Sequence, residues 1–112
     1  MAKQLFRNYN FDFDKNERKM IATFAKQVIK QTEGNNKYYQ ENKAFNSIML
    51  KVNENGETVK LTKDEFYKLK NQLEINVKHL EKKMDKSWFF MKWVYKSLYS
   101  NYRSMLKNYF EG

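Results

Sequence analysis

Leu61-Thr62-Lys63-Asp64-Glu65-Phe66 is the clearest local folding signal in this sequence of 112 residues. Thr62 and Glu65 have the spacing of a capping box, in which each side chain binds the other residue's backbone N–H at a helix start. Leu61 and Phe66 stand where a hydrophobic staple would close across the same start. The stretch therefore predicts that a helix begins at about residue 63.

Apolar residues recur every three or four positions after this start, which is typical of a helix that packs along one narrow seam. The seam residues are Phe66, Leu69, Leu73, Val77, Leu80 and Met84, followed by Trp88, Met91, Tyr95, Leu98, Tyr102, Met105 and Tyr109. One alternative is a single helix over residues 63 to 109. The other is a turn near residues 84 to 87 that lets two helices pack on each other. We favour the turn, because a continuous helix would need a partner chain to cover its seam.

A first helix is predicted over residues 15 to 32, where apolar residues again follow helical spacing. Asp14 and Glu17 form a second D-x-x-E capping box at its start, and Gly34 stands where a C-terminal cap belongs. The residues predicted to face the core are Met20, Ile21, Phe24, Ala25, Val28 and Ile29.

A second helix is predicted over about residues 36 to 50, packing through Tyr39, Phe45, Ile48 and Met49. Asn55-Gly56 then offers two alternatives. It has the composition of a type I′ turn, which would make a short hairpin of residues 50 to 61, and the glycine could equally end the second helix.

These elements predict an all-α fold: a compact bundle of about four helices in a single domain over residues 1 to 112, with a short β-hairpin near residues 50–61. The chain has no Pro and only two internal Gly residues, so it offers few places for further turns.

Composition excludes several kinds of protein. Without Cys there can be no disulfide, no thiolate nucleophile and no Cys-containing zinc site. The longest apolar run is Trp88-Phe89-Phe90-Met91, whereas a membrane span needs about 20 residues. No signal-peptide core is found near the N-terminus, so the expected location is cytoplasmic.

Catalytic and metal-binding chemistry finds little support. The one histidine, His79, is predicted to be a solvated surface residue because no carboxylate lies in local reach to orient it. Residues 12 to 17 resemble the opening of an EF-hand loop, but Glu17 replaces its glycine and Thr23 its closing glutamate. We therefore predict no enzyme activity, no metal, no cofactor and no small-molecule substrate; a site built only from carboxylates is the remaining enzymatic alternative.

Positive charge is in excess, with 22 Lys plus Arg against 13 Asp plus Glu, a formal charge of +9. Codon usage in an AT-rich genome could account for part of it. The distribution argues for more, because residues 86 to 110 contain five positive residues and no acidic one. Four of them fall within about 60° of one another on a helical wheel and form the C-terminal stripe: Lys92, Lys96, Arg103 and Lys107.

Aromatic residues lie on or beside the C-terminal stripe, namely Phe89, Trp93 and Phe110. Aromatic faces next to Lys and Arg suit nucleic acid, because bases stack on the rings while the cations neutralise phosphates. The structural alternative is that Phe89 and Trp93 are buried against a second neighbour. A secondary basic surface, the N-terminal stripe, is predicted on the first helix from Lys15, Lys19, Lys26 and Lys30.

The leading hypothesis is a non-enzymatic basic binding module that docks a polyanion, nucleic acid first, on the C-terminal stripe with Phe89 and Trp93. Lysine-dominated contacts bind phosphates without reading bases, so strong sequence specificity is not expected. The alternative is a protein-interaction or self-associating helical module, such as a homodimer. Adsorption to a membrane surface is a third interpretation, since interfacial helices also combine Lys and Arg with Trp and Phe. Exposed Tyr67 and Ile75, with Phe89 and Trp93, could form an apolar patch for a partner.

Overall fold

The computed structural model of the chain describes residues 9–54, 58–86 and 89–110, with side chains for all of these except residues 84–94. The elements along these residues, in chain order, are strand β1 (Tyr9–Phe11), helix α1 (Lys15–Thr32), a 3-10 turn (Asn36–Tyr38), helix α2 (Tyr39–Asn53), strand β2 (Val59–Leu61), helix α3 (Lys63–Lys86), helix α4 (Phe89–Met105) and a π-helical turn (Leu106–Phe110). The all-α class with a small antiparallel sheet is confirmed.

The contacts divide the chain into two units that meet inside α3, one over residues 2–68 and the other mainly over residues 69–112. The prediction of a single domain is not tested by this division and stays a prediction. The two units are described in turn.

In the first unit, α1 begins and ends where the sequence predicts. Asp14 accepts a hydrogen bond from the Glu17 N–H at 2.8 Å, and Glu17 accepts one from the Asp14 N–H at 2.9 Å. Gly34 has φ of 71°, a left-handed conformation that glycine adopts without a Cβ clash. The local rules for helix ends therefore account for where α1 starts and where it stops.

Helices α1 and α2 pack through apolar faces, with the Phe24 and Phe45 rings edge to face at 6.3 Å. Polar side chains also form hydrogen bonds between α1 and α2 near the ends of the two helices. The Asn42 amide donates to the Ile29 carbonyl at 3.2 Å. The Arg18 guanidinium donates to the Glu54 carbonyl at 3.0 Å, just beyond the end of α2, where carbonyls lack helical partners. The buried apolar side chains of the two helices are Ile21, Phe24, Ala25, Val28, Ala44, Phe45, Ile48 and Val52.

The prediction for the second helix needs one correction, because Tyr39 is 58% exposed rather than packed. At 100° per residue Tyr39 lies opposite Ile48 on the helical wheel, so the face that buries Ile48 turns Tyr39 toward solvent. The helix also continues to Asn53, three residues past the predicted end. Phe45 and Ile48 are buried as predicted, and Met49 is half-buried.

A short antiparallel sheet is present, but its two strands do not both lie within residues 50–61. Residues 50–53 belong to α2, and β2 pairs instead with β1, with Tyr9 opposite Leu61 and Phe11 opposite Val59. Residues 55–57, on which the predicted hairpin turn falls, lie outside the described residues. Aromatic contacts hold β1 to the start of α3, since the Phe66 ring lies 4.6 Å from the ring of Tyr9 and 5.9 Å from that of Phe11. The sheet therefore joins segments about 50 residues apart.

The capping box at the start of α3 is confirmed. The Thr62 N–H donates to Glu65 Oε1 at 2.9 Å, and the Glu65 N–H donates to Thr62 Oγ1 at 3.1 Å. Leu61 and Phe66, the predicted staple, are both buried.

In the second unit, the structure has two helices rather than one. The Tyr99 hydroxyl donates to Glu81 Oε2 at 3.2 Å, and Lys83 Nζ lies 5.5 Å from the centre of the Tyr95 ring. A straight helix would hold residues 18 apart at about 27 Å, so the chain must turn between Glu81 and Tyr99. This confirms the predicted turn.

The predicted seam is buried on α3 from Phe66 to Leu80 and only partly buried from Tyr95 onward, and the side chains of Met84, Trp88 and Met91 lie outside the described ones. Leu98 is 37% exposed, and Tyr95 and Tyr109 are half-buried. Among the second unit's residues with described side chains, the buried ones are Leu69, Leu73, Val77, Leu80, Tyr102, Met105, Leu106 and Phe110. Burial raises the pKa of the Tyr102 phenol above its ordinary value.

Candidate polyanion-binding surfaces

Three members of the C-terminal stripe have described side chains, and all three, Lys96, Arg103 and Lys107, are exposed. They alternate along the chain with Tyr102 and Met105, which are buried. Because Tyr102 and Met105 lie on the buried side of the helix, the positive residues on its other side face solvent. Lys96 and Arg103 are two turns apart, a rise of about 10.5 Å along the helix.

The other members of this predicted site are only partly described. Phe89, Lys92 and Trp93 belong to α4, but their side chains lie outside the described ones. Whether Phe89 and Trp93 are exposed, so that bases can stack on them, or are buried against a neighbouring element stays a prediction. The same holds for any patch that Tyr67 and Ile75, 48% and 52% exposed, would form with them.

Phe110 requires a correction, because it is buried rather than beside the stripe. The α-helical pattern gives way to a π-helical turn over Leu106–Phe110. A wider turn advances each residue by a smaller angle, so Phe110 is brought closer to the direction of buried Tyr102 than the α-helical wheel places it. The sequence offers no signal for this change of helix type.

The N-terminal stripe is described in full. Lys15, Lys19, Lys26 and Lys30 are all exposed along the outer side of α1, while Ile21 and Val28 on the other side are buried. Just over four turns of unbroken helix hold these four ammonium groups in line. Helical periodicity alone predicts this surface.

The stripe residues differ from Lys51 and Lys68 in that these two lysines form ion pairs. Among the described residues, the ion pairs join Lys51 to Glu65 and Lys68 to Asp64 and Glu41. No described member of either stripe takes part in one. The stripe cations are thus open to an external anion as far as the described residues extend.

Lys51 and Lys68 instead pair with carboxylates of α2 and α3. Lys68 Nζ lies 2.7 Å from Asp64 Oδ1, and this hydrogen bond, opposed by partial burial, raises the pKa of Lys68. Lys51 Nζ lies 2.6 Å from Glu65 Oε1, and the Ser47 hydroxyl donates to Glu65 Oε2. These two lysines are structural.

Glu65 is the most deeply buried carboxylate among the described residues, and burial is a common way of tuning a carboxylate for catalysis. Burial by itself raises its pKa, but hydrogen bonds from Lys51, Ser47 and the Thr62 N–H outweigh burial, so its net pKa is below the ordinary value. A carboxylate held ionised by three donors is a poor general acid or base at neutral pH. The arrangement stabilises the start of α3 against α2. The sequence predicts the capping box with Thr62 but not the contacts of Glu65 with Ser47 and Lys51.

The other residues considered for chemistry have structural or solvated positions. His79 is exposed, as predicted. In the EF-hand-like stretch, Asp14 and Glu17 cap α1, and Asp12 accepts a hydrogen bond from the Thr58 hydroxyl at 3.0 Å. Every buried side-chain N or O atom in the described part of the chain has a hydrogen-bond partner.

No protein-family model matches the chain, and neither a curated protein nor a solved structure shows significant similarity to it. None of the described helices is long and apolar enough to span a membrane. Any assignment of function therefore depends on the chain's own surfaces.

Proposed function

We propose that this protein is a non-enzymatic basic binding module that docks a polyanion, and that the ligand is nucleic acid. The observation that carries the proposal is that all seven stripe cations with described side chains are exposed and outside any described ion pair. Phosphate backbones supply closely spaced negative charge, and each phosphate neutralised by Lys or Arg releases condensed counterions.

The C-terminal stripe is the proposed primary surface because acidic side chains are absent from residues 86 to 110. A phosphate approaching Lys96, Arg103 and Lys107 thus meets no repulsion from acids in that segment. Lysine and arginine on a solvated helix face contact phosphates as charges, so this surface supplies affinity and not base discrimination.

The test is a fluorescence anisotropy titration of the full chain with a labelled 30-bp duplex and a 30-nucleotide single strand, from 50 to 200 mM salt. If four phosphates are engaged on duplex DNA, log K should fall against log salt with a slope of about −3.6. In the triple variant Lys96→Glu, Arg103→Glu and Lys107→Glu, we expect affinity to drop at least tenfold and the slope to flatten by about 2.7.

A matched control makes the same change in net charge at exposed lysines that belong to neither stripe, as Lys43→Glu, Lys63→Glu and Lys78→Glu. At 0.1 M salt, charges more than about 10 Å from the ligand are screened, so this control should lose far less affinity. Binding that ignores salt, or that falls equally in both variants, would refute the proposal.

The structure bears on the self-association alternative through the turn between α3 and α4. The continuous seam from residue 66 to 109 suggested a second chain because one long helix would leave it uncovered. The Tyr99–Glu81 hydrogen bond shows that the chain folds back on itself. Light scattering is the direct check, and a stable dimer without salt-sensitive DNA binding would favour the alternative.

A further inference from the structure

The exposed side of α1 carries a second row of residues next to the N-terminal stripe. At 100° per residue this row covers about 80° of the helix and borders the lysines directly. Its members are uncharged, polar and exposed, and they are Asn16, Thr23, Gln27 and Gln31. We call them the amide row.

No side chain of the amide row makes a hydrogen bond to another described residue. Amides elsewhere in the first unit do. Asn42 donates to the Ile29 carbonyl and to Thr32 Oγ1, and even the exposed Asn46 donates to the Asn42 carbonyl. The donors and acceptors on the outer face of α1 are therefore open, whereas Asn42 and Asn46 of α2 are bonded within the fold.

The chemistry of the amide row differs from that of the lysines. Asn and Gln present a donor and an acceptor side by side, which matches N6 and N7 of adenine in the major groove of DNA. Thr can bond a base edge or contact the thymine methyl group. A helix that offers such groups beside cations combines base reading with phosphate binding.

The dimensions of α1 fit the same ligand. Lys15 and Lys19 form one pair and Lys26 and Lys30 another, and the centres of the pairs are about 16.5 Å apart along the helix. The major groove of B-DNA is about 12 Å wide, so flexible lysine side chains at the two ends can reach the phosphates on either side of it. Thr23 lies between the pairs and Gln27 within the second, facing the groove floor. The carboxylate of Glu17 accepts a hydrogen bond from the Asp14 N–H and lies opposite the lysines, beyond the far edge of the amide row.

We propose that α1 lies in the major groove of duplex DNA, with the N-terminal stripe on the phosphates and with Thr23 and Gln27 on base edges. This inference rests on the proposed function, because it names the ligand class and assigns the second basic surface to it. The C-terminal stripe then adds affinity without sequence preference, and α1 supplies the preference.

The experiment selects preferred sites with the full chain from 30-bp duplexes containing 12 randomised central base pairs. We expect a shared motif whose duplex binds about tenfold or more tightly than the unselected pool. The variant Thr23→Ala with Gln27→Ala should lose this preference while keeping its affinity for the unselected pool within twofold. Alanine favours helix, so the variant should retain its helical circular dichroism.

A matched control replaces two exposed amides of other helices, Gln40→Ala and Asn71→Ala, and should keep the preference. Replacing adenine by 7-deazaadenine in the selected duplex removes the N7 acceptor from the major groove alone and should also abolish the preference. An RNA duplex of the same sequence should not be preferred, because its major groove is too narrow for a helix.

The outcomes separate the two proposals. If the wild-type chain binds no nucleic acid in a salt-sensitive way, the proposed function fails. If it binds but selection yields no motif, or the motif survives in the Thr23→Ala and Gln27→Ala variant, the assignment of α1 to the major groove is overturned while the proposed function stands.

Discussion

The two capping boxes of this protein share one local pattern and have different surroundings. Asp14–Glu17 starts α1 at an exposed position, and its two hydrogen bonds join residues three apart. Thr62–Glu65 starts α3 with the same pair of bonds, and there the glutamate is 6% exposed and also binds Ser47 and Lys51 of α2. The comparison shows that a capping box can start a helix and at the same time connect it to a second one, as Glu65 does.

The largest expected effect comes from removing the carboxylate of the second box. Glu65→Ala leaves the Lys51 ammonium, the Ser47 hydroxyl and the Thr62 N–H without their common acceptor. We expect the free energy of unfolding to fall by about 2–4 kcal/mol, since breaking a buried, hydrogen-bonded charge pair from one side is costly. Urea unfolding measures it, and a loss no larger than that of Asp14→Ala would show that the links to α2 contribute nothing.

The pH dependence of stability should distinguish the same glutamate. Because the pKa of Glu65 is lowered in the folded chain, its contribution is fully present above the unfolded glutamate pKa of about 4.3 and is lost as pH falls through the lower folded value. The difference in unfolding free energy between wild type and Glu65→Gln should shrink as pH falls from 7 toward 3. The other carboxylates titrate in both proteins, so a difference that grows toward acid would contradict the lowered pKa.

The smallest effects should come from the N-cap residues, where the two boxes are alike. Asp14→Ala and Thr62→Ala each remove the acceptor for one N–H at the third helical position, and each should cost about 1 kcal/mol. Asp14→Ser and Thr62→Ser, which keep an acceptor oxygen, should recover most of the loss. Urea unfolding of the four variants checks this, and a much larger cost for Thr62→Ala would mean that the cap itself, and not Glu65, joins α3 to α2.

Features that depend on near neighbours in sequence could be predicted from the residues. Both capping boxes, the glycine at the end of α1 and the exposure of the N-terminal stripe follow from spacings of three or four residues. The fold-back between α3 and α4 also followed, from the argument that a single long helix would leave its seam uncovered.

Features that depend on distant or non-standard geometry could not be predicted. Nothing in the Thr62–Glu65 spacing indicates Ser47 or Lys51, which reach Glu65 only after α2 and α3 pack. The partner of β2 lies near the other end of the first unit, and the burial of Phe110 follows a change from α- to π-helical turn. The residues of the amide row can be read from the sequence, but only the structure shows that their side chains are unbonded while Asn42 and Asn46 of α2 are bonded.

The pairing of Tyr9 with Leu61 also sets an order of events during protein synthesis. A ribosome adds about 5–20 residues per second, so β1 exists for roughly 3–10 s before the 52nd residue after Tyr9 is added and pairing becomes possible. All residues of α1 and α2 are added within that interval. The aromatic side chains of β1 therefore have no sheet partner until β2 is synthesised.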